Sequence, residues 1–332
     1  MNDRARRRTT RREQAKRSGN PAKRKTAVTP ELRPATAGDW VKGARPRTLG
    51  MAIGPVAAAS GIAVFNGIFN WPIAVLCLLL ALFMQIGVNF ANDFSDGVRG
   101  TDARRVGPGR LTGSGKAAPK TVRNVALGFL ATGGAAGIAA VLLGQQWWLL
   151  AVGAVAILAA WFYTGGKRPY GYMALGELVS GIFFGPVAVV GTVYAMSGEI
   201  LEDAVLIGVA LGLLAAAAML VNNIRDIETD RAAGKRTLAT LLGPTVSKVL
   251  YGLLMLAPFS LVAIYAFALM YGPWVLLLML IALPAVLIVA MGSTPRDFIL
   301  ALTLTGITNL LLGVGVGVAF WGGIVGFFNP HV

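Results

Sequence analysis

The sequence is short of the residues that most enzyme sites draw on. It holds one cysteine, Cys77, inside an apolar run, and one histidine, His331, next to the last residue. A lone buried-type cysteine excludes a disulfide framework and a thiolate metal cluster. A single terminal histidine excludes imidazole acid–base chemistry in a core and haem ligation there. Charge is also scarce: 14% of the 332 residues are Asp, Glu, Lys or Arg, against about 25% in a soluble domain. Acids are the rarer sign, 15 against 30 Lys and Arg. What remains is 55% apolar residues and 42 glycines. That composition describes an all-α integral membrane protein, whose helices satisfy their own backbone groups in lipid.

Apolar stretches long enough to cross a bilayer recur along the chain. They predict nine transmembrane helices, near 48–65, 72–91, 122–143, 147–163, 175–196, 203–222, 247–270, 274–292 and 299–321. Trp71, Trp147, Trp148, Trp274 and Trp321 fall at or near the ends of these spans, where interfacial anchors belong. The connections near 66–71, 144–146, 197–202 and 271–273 contain no Lys or Arg. The basic residues gather before the first span and near 92–121, 164–174, 223–246 and 293–298, which alternation puts on one side. The positive-inside rule makes that side cytoplasmic, in the plasma membrane of the cell. Residues 1–38, dense in Arg and Lys and almost free of apolar side chains, are expected to form a disordered basic arm near anionic lipid. Residues 39–332 then form the membrane domain. The formal charge of +15 is thus a signal of topology and of contact with the lipid bilayer, and nucleic acid is not an expected partner.

Acids that do occur are concentrated. Asn222–Gly243, N-N-I-R-D-I-E-T-D-R-A-A-G-K-R-T-L-A-T-L-L-G, follows an apolar run and carries Asp226, Glu228 and Asp230. On a continuing helix Asp226 and Asp230 lie one above the other. Two ionised carboxylates that close repel each other unless a cation neutralises them. A second cluster, N-F-A-N-D-F-S-D-G-V-R-G-T-D at Asn89–Asp102, follows another apolar run. Shifted by 134 positions it overlies the first: Asn89 on Asn223, Asn92 on Asp226, Asp96 on Asp230, Gly100 on Gly234, Gly109 on Gly243. The repeat has the same orientation in both halves, so both polar pairs open to one side and predict one central site facing the cytoplasm. The cation suited to an all-oxygen site that shares its ligands with a substrate phosphate is Mg²⁺.

Bases surround the acids. Arg104, Arg105, Arg110 and Lys116 follow the first cluster, and Arg231, Lys235 and Arg236 the second; Arg45 and Arg47 stand before the first span. Metal-binding acids beside guanidinium groups are a means of gripping a diphosphate and assisting its departure. An apolar bundle behind them suits a substrate with a phosphorylated head and a hydrocarbon tail, and Gly128, Gly133, Gly134, Gly137, Gly208 and Gly212 allow close helix contact or leave grooves. The connection Y-T-G-G-K-R-P-Y-G-Y brings Lys167, Arg168 and three tyrosines, Tyr163, Tyr170 and Tyr172, to the same side, and Glu177 follows as an intramembrane acid, either a second-substrate contact or a packing hydrogen bond.

The strings N-D-F-S-D-G-V-R-G-T-D and R-D-I-E-T-D resemble the two Asp-rich motifs of the UbiA superfamily of intramembrane aromatic prenyltransferases. A-R-P-R-T-L, the G-T-D ending, G-E-L-V-S-G-I-F-F-G-P-V-A-V-V-G-T and G-K-R-T-L-A-T resemble the branch that prenylates 1,4-dihydroxy-2-naphthoate. The resemblance runs from about Trp40 onward. It implies that Asn92, Asp96, Asp226 and Asp230 hold Mg²⁺ on a polyprenyl diphosphate, and that Asp93, Arg110, Lys116 and Lys167 position or release the diphosphate. It places Arg45, Arg47, Asn89, Tyr163, Asn222, Asn223, Lys235 and Arg236 around the substrates, with Glu177 and Asp93 the candidates for proton transfer. The implied product is demethylmenaquinone. The superfamily's last motif acid would sit at position 100, which is Gly100 here, and Asp102 follows instead as a metal ligand or a loop-shaping residue. Two other readings fit the pattern less closely: a prenyltransferase for another aromatic acceptor such as 4-hydroxybenzoate, and a transporter, which would place its acids in mid-span.

Overall fold

The computed structural model describes residues 34–101 and 109–323. Most of the expected basic arm, and Asp102, Arg104 and Arg105, lie outside the described residues. The chain divides into Met1–Pro34 and Ala35–Val332, and the second unit holds the helical bundle.

Among the described residues, helix begins inside the stretch 1–38 assigned to the arm. Helix α1, Ala37–Ala44, opens with a capping box: Thr36 accepts the Asp39 backbone N–H, and the Asp39 carboxylate accepts the Thr36 N–H at 3.1 Å. Arg45, at φ 55°, turns the chain out of α1 into the short turn Pro46–Thr48. Then come α2 (Gly50–Phe65), α3 (Trp71–Arg99), α4 (Pro119–Gly144), α5 (Leu149–Phe162), α6 (Gly176–Ser197), α7 (Glu202–Arg225), α8 (Ile227–Ala232), α9 (Leu238–Ala268), α10 (Gly272–Met291) and α11 (Pro295–Gly322).

Every apolar stretch becomes a helix, but the count of nine spans changes. Among the described residues seven helices are long and apolar enough to cross a membrane, and an eighth if Ala37–Thr48 and Gly50–Phe65, bent by 47°, act as one. The stretch expected at 147–163 yields α5, whose 14 residues reach only about 21 Å. The reason is local. Gln145, in the left-handed region at φ 58°, closes α4, and the glycines after Tyr163, with Gly166 at φ 76°, unwind the other end of α5.

α7 is the hub. Of its most apolar window 72% is buried, while the corresponding shares of the other spans run from 22% to 44%. It packs against α6, α9 and α11. Against α6 the approach is close because Gly208 and Gly212 face Gly181, Gly185 and Pro186, where α6 widens into a π-turn at Phe183–Val187 around a proline without an N–H. Polar side chains bond across the bundle: Asn309 on α11 donates to the Leu211 carbonyl of α7 at 3.0 Å, and Tyr251 pairs with Thr305 at 2.8 Å. α2 and α11 meet along a glycine seam, Gly54 and Gly61 against Gly313 and Gly317, backbone on backbone. Trp71, Trp147, Trp148, Trp274 and Trp321 are at least half exposed and lie at the end of the bundle opposite the acids. Gly100 and Gly234, the glycines paired by the 134-residue offset, both take positive φ, 74° and 69°. Gly100 thereby ends α3 where the superfamily pattern has an acid.

The seam leaves no room for a side chain. Gly313→Leu should lower the midpoint of thermal unfolding in detergent by roughly 5 °C or more, whereas Gly128→Leu, whose new side chain meets open space, should leave it unchanged.

Candidate active site

Helix alternation brings the ends of α3 and α7 to one face of the bundle, and a cavity of about 980 Å³ opens there. Its wall runs from Asn92, Asp96, Asp226 and Asp230 at one end to Leu80, Cys77, Leu149 and Ala195 at the other. Both acid clusters therefore belong to one chamber, polar at its mouth and apolar along the length of α5 and α6.

α3 continues two turns past its apolar run, which puts Asn89, Asn92, Asp93 and Asp96 on a helix, all less than 9% exposed. Asp96 receives Nη1 of Arg110 on Oδ2 at 2.8 Å and the Tyr172 hydroxyl on Oδ1 at 2.8 Å. Asn92 receives the Thr164 hydroxyl at 2.8 Å, and its carbonyl takes Arg110 at 2.6 Å. Asp93 turns to the loop instead. Its two oxygens accept the backbone N–H groups of Leu111 and Thr112, each at 2.8 Å, which fixes the neighbouring Arg110 over Asp96.

The second cluster differs from the continuous helix its spacing predicts. α7 stops at Arg225, Asp226 leaves helical geometry at φ −99° and ψ 9°, and α8 begins at Ile227. The Arg225 guanidinium grips both Asp226 oxygens, at 2.8 and 2.6 Å, and also Asn222 at 2.9 Å. The break is small, because the Asp230 N–H still bonds the Asp226 carbonyl at 2.8 Å. The acids thus remain one turn apart. Asp230 pairs loosely with Lys235, 3.5 Å from Oδ1, and its buried Oδ2 has no hydrogen-bond partner among the described residues. Burial pushes the Asp230 carboxyl up to about 6; Lys235 opposes the shift, and the charges of Asp226 and Asp96 add to it.

Among the described residues no three His, Cys, Asp or Glu are grouped closely enough to cage a metal ion. The donor set nonetheless fits Mg²⁺, which takes one or two carboxylates and fills its other positions with water and substrate phosphate. The buried, unpartnered oxygen of Asp230 is the donor in this set that such an ion could take without displacing a hydrogen bond.

Of the other residues singled out from the sequence, Arg45, Arg47, Asn89, Tyr163, Asn222, Asn223, Arg110 and Lys235 line the cavity. Asn89 donates to the Ala44 carbonyl at 3.0 Å and so fastens the segment bearing Arg45 and Arg47 to α3. Glu177 sits one residue behind the wall, 3% exposed, accepting the Asn223 amide at 2.8 Å. Three lie elsewhere. Lys116 pairs with Asp39 at 2.8 Å, Lys167 is exposed on the connection after α5, and Arg236 is exposed with its carbonyl accepting the Ala174 N–H. Of the glycines read as groove-formers, Gly134 and Gly137 line the cavity, while Gly208 and Gly212 serve helix packing.

Arg225, Thr164 and Gln85 are lining residues not expected from the sequence, while Tyr170 and Tyr172, expected on this side with Tyr163, line the cavity as well. Tyr172 lies between Arg99 and Lys235, whose cations stand 5.5 and 5.4 Å from its ring centre. Arg225 was legible as the base preceding Asp226, and Gln85 as the residue seven before Asn92 on the same helical face. Thr164 had no local signal, and for Tyr172 the sequence indicated the side but not the partner, because both bond to residues of α3.

A raised Asp230 carboxyl has a direct consequence for metal binding. The carboxyl, raised to about 6 by burial, takes up a proton at a higher pH than an ordinary carboxylate, so a metal ion that it helps to hold would bind less well as pH falls through that range. Mn²⁺ affinity, read by electron paramagnetic resonance on the purified protein, should weaken progressively below pH 6, and Asp230→Asn should be weak at all pH values and lose that dependence.

Three comparisons with known proteins bear on the site. The UbiA prenyltransferase family model matches residues 52–298. A 1,4-dihydroxy-2-naphthoate octaprenyltransferase of Mycobacterium tuberculosis is 44% identical over 287 residues, covering 85% of this chain and 96% of that protein. The enzyme of the same description from Mycobacterium leprae is 39% identical with the same coverage. A solved UbiA homolog from Archaeoglobus fulgidus, bound to DMAPP and Mg²⁺, shares the fold at a TM-score of 0.60 and 19% identity, covering 85% of this chain and 99% of that one.

Proposed function

The chain belongs to the UbiA prenyltransferase family, and from that premise we propose that it transfers a polyprenyl group from a polyprenyl diphosphate to 1,4-dihydroxy-2-naphthoate in menaquinone biosynthesis. The observation that carries the reading is one chamber with two acid clusters at its mouth and an apolar wall behind them, in a chain 44% identical to an enzyme of that description.

The donor's diphosphate would sit at the mouth with its tail along α5 and α6. Asn92, Asp96, Asp226 and Asp230 would hold Mg²⁺, which supplies positive charge to the departing diphosphate. Arg110 and Lys235 reach the same place and would share its oxygens as the allylic C–O bond breaks. Lys116, tied to Asp39, is not among the groups that would touch the diphosphate. The C–O electron pair leaves with diphosphate. The ring carbon bearing the carboxylate attacks the allylic cation, and the bond to that carboxylate returns its electrons to the ring as carbon dioxide departs. Charge balances without a proton acceptor, so Glu177 needs no role as a base and serves by orienting Asn223. The product at this oxidation level is the prenylated hydroquinone, the reduced form of demethylmenaquinone. The apolar wall keeps water from the cation. The acid end carries the basic connections, which supports a site opening to the cytoplasm in the plasma membrane.

Purified protein in nanodiscs, given dihydroxynaphthoate and radiolabelled octaprenyl diphosphate, should form the labelled lipid product and release one carbon dioxide per transfer. EDTA should stop the reaction and Mg²⁺ restore it. Asp96→Asn and Asp226→Asn should each reduce turnover about a hundredfold or more, with normal insertion. Preferential labelling of 4-hydroxybenzoate, or an EDTA-resistant rate, would overturn the assignment.

A further inference from the structure

Gln85, Asn89, Asn92 and Asp96 recur along α3 at steps of four, three and four residues, which places them on one helical face, and all four line the cavity. Three of them are at the mouth among the acids and bases. Gln85 is the innermost, with Met84 and Val88 beside it on the wall and Ala81 one turn further in. It is only 5% exposed. Its Nε2 donates to the Thr48 carbonyl at 2.6 Å, and this bond sets the direction of the amide. Its Oε1 is buried with no hydrogen-bond partner among the described residues.

Clamping the segment before α2 accounts for the nitrogen and leaves the oxygen unexplained. A desolvated carbonyl oxygen without a donor is costly, and in a ligand chamber the missing donor is naturally one carried by the ligand. The prenyl tail has no donor. An aromatic acceptor with ring hydroxyl groups does. We infer that Gln85 Oε1 accepts a hydrogen bond from a ring hydroxyl of the acceptor, and so selects a hydroxylated naphthoate and fixes its depth beneath the metal-binding mouth. The inference rests on the proposed function, and it makes Gln85 a specificity residue for the second substrate.

The test compares wild type, Gln85→Leu and Gln85→Glu in the prenyl-transfer assay. Leu removes both the clamp and the acceptor, whereas Glu loses the donor to Thr48 but keeps an acceptor oxygen. The competitive inhibition constants of 1-hydroxy-2-naphthoate and 4-hydroxy-2-naphthoate are set against the KM of the dihydroxy acceptor. In wild type one of the two analogues should bind about tenfold or more weakly than the dihydroxy compound. That ratio should collapse towards one in Gln85→Leu and survive in Gln85→Glu, whereas any change in the KM for octaprenyl diphosphate from the lost clamp should be shared by both. The same ratios in wild type and Gln85→Leu, or a collapse in both variants alike, would overturn the inference and leave Gln85 as a clamp for residues 44–48. Absence of prenyl transfer in wild type would instead mark the failure of the proposed function itself.

Discussion

Carboxylates at the end of a membrane helix repel each other and resist burial, and the architecture around the cavity is an answer to that cost. Asp96, Asp226 and Asp230 are each less than a tenth exposed, and each meets a cation from a different place: Arg110 from the loop after α3, Arg225 from the preceding residue, Lys235 from the turn after α8. The pairing is unequal. Asp226 is gripped on both oxygens, Asp96 on one by a guanidinium and on the other by a phenol, and Asp230 is held weakly. Such a gradation is what the proposed metal and diphosphate binding would call for, with some acids fixed in place and one held only weakly.

The helices serve this arrangement. α7 is buried on most of its length, so its end at Asp226 is a fixed point, and the glycine contacts to α6 and along the α2–α11 seam hold the bundle at close range. α5 does the opposite. Being short, with only Ala160 of its residues buried, it forms a thin wall beside the apolar part of the chamber. The polar mouth therefore stands on the well-packed side of the molecule, and the apolar length stands next to lipid. That division fits a substrate with a charged head that must be positioned and a tail that must come and go through the membrane.

Apolar run lengths, Lys and Arg bias and the repeated i, i+4 pairs are local quantities, and they are written in the order of residues. From them the helices, the two clusters and their common side could all be read, and the motif strings named the family. They also pointed to Arg45, Arg47, Asn89, Asn222, Asn223 and Lys235 as substrate contacts, and these six side chains stand on one cavity wall. Other expectations depended on distances between segments far apart in sequence. Lys116 was a diphosphate candidate by its nearness to the first cluster, yet the fold brings it to Asp39. Asp93 sat between two metal candidates in sequence, but the helix turns its carboxylate to the amides of Leu111 and Thr112.

The amino-acid order alone determined that this is a helical membrane protein with a duplicated acidic helix end, because hydropathy and periodicity are properties of single segments in a given solvent. It could not determine which cation meets which acid, that Tyr172 bridges the two clusters, that the helix yields at Asp226, or that the apolar stretch after Trp148 makes a helix too short to span the bilayer alone. Those depend on packing. Hydrogen bonds and ion pairs act over about 3 Å, and only the assembled bundle decides which side chains come that close.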